Sequence, residues 1–171
     1  MPSFYKPATS FAYLVFISIS FTIFQVSCRN PGLKTEKVSG KVISIADGDT
    51  FRLLKSDNTI IKVRIANIDC PERKQPFSAK ATQLTTKLIF EKNVTLNILT
   101  KDKYGRSVAE VKCKGKNVGE ELLANGLAWH FVRYSSNAKL QALEDKAKKK
   151  KLGLWYDKKP IPPWDWRRGV R

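Results

Sequence analysis

Apolar and polar residues alternate along this chain with two periods, and the change from one to the other marks out its elements. "VSGKVISIA" (38–46) is rich in β-branched residues and stops at "DGD". "TFRLL" (50–54) runs into a polar "KSDN" turn, and "TIIKVRIANI" (59–68) puts Ile61, Val63 and Ile65 on one face with Lys62 and Arg64 on the other. A period of two is that of a half-buried strand, so two successive hairpins form a meander. Over 77–91 the period lengthens. Phe77, Ala81, Leu84 and Leu88 fall at i, i+4, i+7 and i+11, the stripe of a helix lying on a sheet. "NVTLNILT" (93–100) alternates again, "KDKYG" turns the chain, and "RSVAEVKC" (106–113) completes a third hairpin. A helix over 117–125 ends at Asn125-Gly126, a usual helix stop. Another over 135–151 starts at capping Ser and Asn residues, carries Leu140, Leu143 and Ala147, and ends at Gly153.

Three strands, a helix, two strands and two helices predict an α+β fold, mainly β. The architecture expected is a five-stranded closed barrel of the OB type with three helices around it. The flanks differ in kind. Residues 29–37, "RNPGLKTEK", lack periodicity and read as a linker, which leaves 38–157 as the folded domain. Residues 158–171, rich in proline and Trp and basic, form a tail without periodicity.

Residues 8–27 carry no charge, and Lys6 is the one charge ahead of them. A lone cation, an apolar stretch and then Ser27, Cys28 and polar "RNPG" read as a secretory signal. Cleavage, lipid attachment at Cys28 and retention as a membrane anchor all fit residues 1–28. Gln25 stands where a lipidated cysteine wants an aliphatic residue three places ahead, which favours a plain signal or an anchor. Either way the protein is expected outside the cytoplasm, secreted or attached to the cell envelope.

Charge sharpens the picture. The chain has 171 residues with 32 Lys and Arg against 15 Asp and Glu, a net charge of +17. Of this, +16 belongs to residues 29–171. Such a field attracts phosphate polymers or anionic membrane surfaces. Beyond Cys28 there are two cysteines, Cys70 and Cys113, whose spacing matches no metal-binding pattern and whose redox state is left open. His130 is the sole histidine, which excludes a two-histidine relay and a histidine-rich metal cage and suits a core or surface role.

Against this basic background, "DGDTF" (47–51), "VRIANIDCPE" (63–72) and "DKYGR" (102–106) place acids and arginines at strand ends. Each alone is a turn: Asp-Gly makes hairpins, and Pro71 sets a corner. In a meander, however, alternate strand ends share one rim, so Asp49, Asp69 and Glu72 can face one another beside Arg64 and Arg106. Three carboxylates in one pocket repel unless cations sit among them. Hard oxygen donors suit calcium or magnesium rather than zinc or copper.

From Val38 to about Trp155 the sequence resembles the staphylococcal nuclease (thermonuclease) family. "DGDT", "VRIANIDCPE", "DKYGR", "VGEELLANGLA" and "AKKKKLGLW" match its motifs in order, and "PIPPWDWR" is similar to the tail of its bacterial members. The resemblance implies a calcium-dependent endonuclease that cleaves DNA and RNA with little sequence preference and leaves 3′-phosphate ends. In those terms Asp49 and Asp69 bind the cation, with the main-chain carbonyl of Cys70 as a further ligand that makes its side chain nearly irrelevant. Glu72 is the general base, Arg64 and Arg106 grip the phosphate and stabilise a phosphorane-like transition state, and Asp47 supports the metal site from behind.

Lys103, Tyr104 and Tyr134 are candidates for contact with substrate backbone and bases, since any base stacks on an aromatic face. For Tyr134 a packing role is an equal alternative. Lys148–Lys151 is expected to solvate a helix end. Trp129, Trp155, Trp164 and Trp166 are expected to pack the core and tail. The protein is expected to be a monomer. The rival class is a non-catalytic OB-fold module that binds nucleic acid or protein. A basic membrane-surface protein would explain the charge and the N-terminus but not the strand-end acids.

Overall fold

The structure is a computed structural model that describes Met1 and residues 35–171. The expectations for residues 1–28, and for most of the linker, lie outside the described residues. Residues 35–171 belong to one compact unit. No helix among the described residues is long and apolar enough to cross a membrane.

Strands β1 (Glu36–Ile45), β2 (Thr50–Lys55) and β3 (Ile60–Ile65) form the expected antiparallel meander. β1 begins inside the stretch read as a linker, with Glu36 paired to Ile98. The run 59–68 does not stay one strand. It breaks at Ala66-Asn67, where Asn67 takes a left-handed backbone (φ 65°), and resumes as a short β4 (Ile68–Asp69). After α1 (Ser78–Ile89) come β5 (Asn93–Lys101) and β6 (Ser107–Cys113), joined as the third hairpin. β5 lies against β1, and β6 returns to pair in parallel with β3 through Val63–Ser107, Arg64–Val108 and Ile65–Ala109. The ring β3-β2-β1-β5-β6 therefore closes into a five-stranded barrel. Closure removes the exposed strand edges of an open sheet.

A short β7 (Lys116–Asn117) folds back antiparallel on the end of β6 and leads into α2 (Val118–Ala124), capped by the Asn117 side chain accepting from the Glu120 amide at 3.2 Å. A two-residue β8 (Trp129–His130) pairs with β4, setting Trp129 opposite Asp69. α3 (Ala138–Lys149) starts at Asn137, whose side chain accepts from the Lys139 amide. The tail also holds structure: a 3-10 turn over Gly153–Tyr156, then α4 (Pro163–Trp166). Gly126, at positive φ, lets the chain pass close to Leu152, whose carbonyl would lie 2.2 Å from any Cβ there.

Val42, Phe51, Leu53, Val63, Leu96 and Val111 fill the barrel, and Ala81, Ile89, Leu122 and Leu140 bring the helices onto the same core. The stripe of α1 is rotated slightly from expectation. Ala81, Thr85 and Ile89 are its buried residues, while Phe77, Leu84 and Leu88 are half-buried against the core. Cys70 and Cys113 are both buried and free.

Candidate nuclease site

The site grows from the turn between β1 and β2. Asp47 Oδ1 accepts from the Asp49 amide at 3.1 Å, which folds the "DGD" loop and directs the Asp49 carboxylate inward. Gly48 is a steric requirement here. A Cβ on it would lie 2.8 Å from Ala81 Cβ and 2.9 Å from Cys70 Cβ. Thr85 Oγ1 donates to the Gly48 carbonyl at 2.6 Å, so α1 clamps the loop from behind.

Asp49 Oδ2 accepts from the Cys70 amide at 2.8 Å, and its Oδ1 accepts from Thr50 Oγ1 and from Arg64. Register explains the meeting: Thr50 pairs with Arg64 across β2–β3, so the acid one residue before Thr50 lies beside the end of β3. Arg64 also donates from Nη2 to Asp69 Oδ1 at 2.7 Å. One guanidinium thus bridges Asp49 and Asp69, both nearly fully buried. Burial pushes the Asp49 carboxyl up from its ordinary value, as does Asp47, against the opposing pull of Arg64 and the Cys70 amide. Burial alone would lower the Arg64 value, but the two facing carboxylates outweigh it and raise it, keeping the charge fixed. Burial also holds the Cys70 thiol protonated, far above its ordinary value.

Asp69 carries a second guanidinium. Arg167, from the last residues of the tail, donates from Nη2 to Asp69 Oδ2 at 2.8 Å, and its Nη1 is paired with Glu72 Oε1. Glu72 is placed by its own backbone, whose amide donates to Gln75 Oε1 at 2.9 Å. Asp49, Asp69 and Glu72 are therefore gathered at one end of the barrel around Arg64 and Arg167, with one more negative than positive charge. This is the cluster that strand ends alone led us to expect, with a different second arginine.

The nuclease-homologue model of the staphylococcal family matches residues 62–157. An uncharacterized endonuclease of Haemophilus influenzae is 36% identical over 155 residues, spanning 91% of this chain and 84% of its own. An uncharacterized endonuclease of Escherichia coli O157:H7 is 35% identical over 131 residues, 76% of this chain and 85% of its own. The chain belongs to the staphylococcal nuclease family. The likeness reaches plants: the staphylococcal-like nuclease CAN1 of Arabidopsis thaliana is 39% identical over 132 residues, which cover 74% of this chain and 40% of that protein.

In three places the structure alters or adds to the arrangement expected of this staphylococcal nuclease relative. Arg106 is not in contact with the acids. It stands next to Ser107, the partner of Val63, but its Nε donates to Asp102 Oδ2 at 2.7 Å within the β5–β6 loop. That loop is built by Asp102, whose Oδ1 accepts from the amides of Tyr104 and Arg106. Lys103 and Arg106 both lie over the exposed Tyr104 ring, at 5.1 and 5.5 Å. Second, Tyr134 is exposed on a separate loop, edge-on to Phe131 at 4.9 Å and with Arg133 beside it. Third, Lys148 does more than solvate a helix end. It pairs with the buried Glu144 at 2.7 Å and sits 4.6 Å from the Trp155 ring centre.

His130 is buried, and its ring Nδ1 is 2.9 Å from Gln141 Oε1. The tryptophans pack: Trp129 is edge-on to both Trp155 (4.3 Å) and Trp164 (5.7 Å), and Trp164 lies flat on Phe131 at 5.4 Å.

Among the described residues no three His, Cys, Asp or Glu side chains are arranged as a metal cage. The donor set still fits a hard divalent cation. Asp49 and Asp69 offer oxygen only, they share one guanidinium, and the cluster has a surplus negative charge. No soft or imidazole donor is available there, since Cys70 is a protonated thiol and the one histidine is engaged elsewhere.

Proposed function

We propose that the protein is an endonuclease that hydrolyses DNA and RNA phosphodiesters with little sequence preference, with the aid of a divalent cation, calcium foremost. Its family makes it a nuclease. The observation that supports the finer reading is the gathering of Asp49, Asp69 and Glu72 around two guanidinium groups at the mouth of a closed barrel.

Asp49 and Asp69, with the Cys70 carbonyl, would hold the cation, and Asp47 keeps the Asp49 loop folded behind them. When bound, the cation supplies Lewis-acid polarisation of the phosphate, worth on the order of several kcal/mol. Glu72 accepts the proton of the attacking water as it adds to phosphorus, a role that contributes roughly 10²–10⁴-fold. The bond from phosphorus to the 5′ oxygen then breaks, the departing oxygen takes a proton from water, and a 3′-phosphate and a 5′-hydroxyl are left. Arg64 keeps N–H donors beyond those given to the acids, and its planar fork suits the non-bridging oxygens on which charge builds. Arg106 would reach the same phosphate by leaving Asp102, in a turn where Gly105 takes a positive φ. Lys103 and Tyr104 on that loop, and Tyr134 nearby in sequence to β8, line the strand on its way in. The uncharged stretch 8–27 supports a place outside the cytoplasm, secreted or on the envelope, and the protein works as a monomer.

The test is purified protein with supercoiled plasmid, with and without Ca²⁺, beside Glu72→Gln. Nicking that requires the cation and falls by orders of magnitude in the variant is expected. Retention of DNA without cutting under any divalent ion would instead identify a non-catalytic binding module.

A further inference from the structure

The tail is built into the site. Gln75, itself buried, uses both ends of its amide: Oε1 accepts from the Glu72 amide at 2.9 Å, and Nε2 donates to the Ile161 carbonyl at 2.6 Å. Two residues on, Pro163 is buried and opens α4 with its backbone angle already set. Trp164 then stacks flat on Phe131, with 5° between the planes, and meets the edge of Trp129, the residue paired with Asp69 across β4–β8. The chain that carries Arg167 is thus fixed on both sides of the acids before Arg167 makes any contact.

Arg167 then spans the two acids of different duty. Its fork lies on Asp69 through Nη2 (2.8 Å) and Nη1 (3.4 Å), and Nη1 also serves Glu72. Burial would lower the Arg167 value, but Asp69 and Glu72 outweigh it and raise it, so the group stays charged. A planar guanidinium with two carboxylates on one edge sets the distance and tilt between them, which a single ammonium cannot do. Glu72 has no other side-chain partner among the described residues, and its side chain is 37% exposed. Without Arg167 it would sample several rotamers, and a misplaced base loses rate steeply.

We infer that Arg167 is a positioning residue: the C-terminal tail is a working part of the nuclease site, and through Arg167 it holds Glu72 in register with Asp69. This rests on Glu72 acting as the base. Plasmid cutting is compared for wild type, Arg167→Ala, Arg167→Lys, Glu72→Gln and the double variant Glu72→Gln/Arg167→Ala, alongside thermal melting and hydrogen exchange at residues 70–76 of the cation-free protein. A ten- to hundredfold fall in kcat for Arg167→Ala is expected, with KM within about threefold of wild type and a cooperative melt retained at a modestly lower temperature, since Asp69 keeps Arg64. Arg167→Lys should recover little, exchange at 70–76 should quicken, and Arg167→Ala should cost less than threefold once Glu72 is already Gln. If wild type cuts and Arg167→Ala cuts equally or faster, the inference fails, the latter marking the tail as an inhibitory strap. An equal loss with and without Glu72 also overturns it, because Arg167 would then act independently. A wild type that does not cut at all overturns the nuclease reading itself, and unchanged exchange at 70–76 would still refute the positioning role on its own.

Discussion

Thr85, in the middle of a helix, gives its hydroxyl proton to the carbonyl of Gly48, in the loop that presents Asp49. Both residues are buried. Thr85→Val keeps the shape but leaves that carbonyl without a donor, which costs about 1–3 kcal/mol. Urea unfolding should show the loss, and plasmid cutting should fall with it because the Asp49 loop is freed.

Gly48→Ala tests the same loop from the front. The added methyl would meet Ala81 and Cys70 at under 3.0 Å, among atoms close to the backbone that cannot swing away. Overpacking of this kind costs roughly 1–3 kcal/mol. A melting temperature several degrees below that of the wild type, with cutting reduced, is the expected result.

Arg64→Met removes the charge that Asp49 and Asp69 share. Leaving the buried Asp49 without its ion partner, and Asp69 with Arg167 alone, destabilises by about 3–5 kcal/mol. Denaturation curves should show this in chelator, and added Ca²⁺ should restore part of the stability, since it would occupy the same acids.

Asp102→Asn addresses the loop of Arg106. Partial burial pushes the Asp102 carboxyl up, but the Arg106 side chain and the amides of Arg106 and Tyr104 outweigh it and hold it below its ordinary value. A folded value below the unfolded one means stabilisation that is full above the usual aspartate value of about 3.9 and is lost as pH falls through the lowered one. The variant should therefore lose part of the acid-side slope in stability below about pH 4. Its KM for DNA should rise severalfold as the loop loosens.

Binding of DNA to Glu72→Gln should weaken steeply with salt, since each phosphate contact releases about one counterion. Filter binding from low to physiological salt measures the slope. A flat profile would rule out the basic surface as a substrate track.

The barrel was legible because its strands alternate over five or more residues and its helices carry an apolar stripe. Features too short or too distant to form a pattern were not. β4 and β8 are two residues each and exist through their mutual pairing, so no period reveals them. Glu144 and Thr85 are polar residues on buried helix faces, made tolerable by partners that only folding supplies. Asp49, Asp69, Glu72 and Arg64 could be placed together from strand ends alone. Arg167 could not, because 98 residues separate it from Asp69 and the tail has no periodicity. Its sequence signal was its place at the end of "PIPPWDWR", a stretch similar to the tail of bacterial family members that says nothing of where in the fold that tail docks. Arg106 was expected against the acids for the reason that holds for Arg64, yet a nearer acid in its own loop takes it.

The two enclosed thiols, unlinked to each other, carry one more consequence. No oxidant or isomerase is required to reach the native state, so refolding from denaturant should proceed at the same rate in dithiothreitol as in air. Alkylating reagents should label Cys70 only as fast as the whole domain opens, because the reactive thiolate is suppressed while the barrel is shut. Labelling kinetics would then serve as a clock for global unfolding.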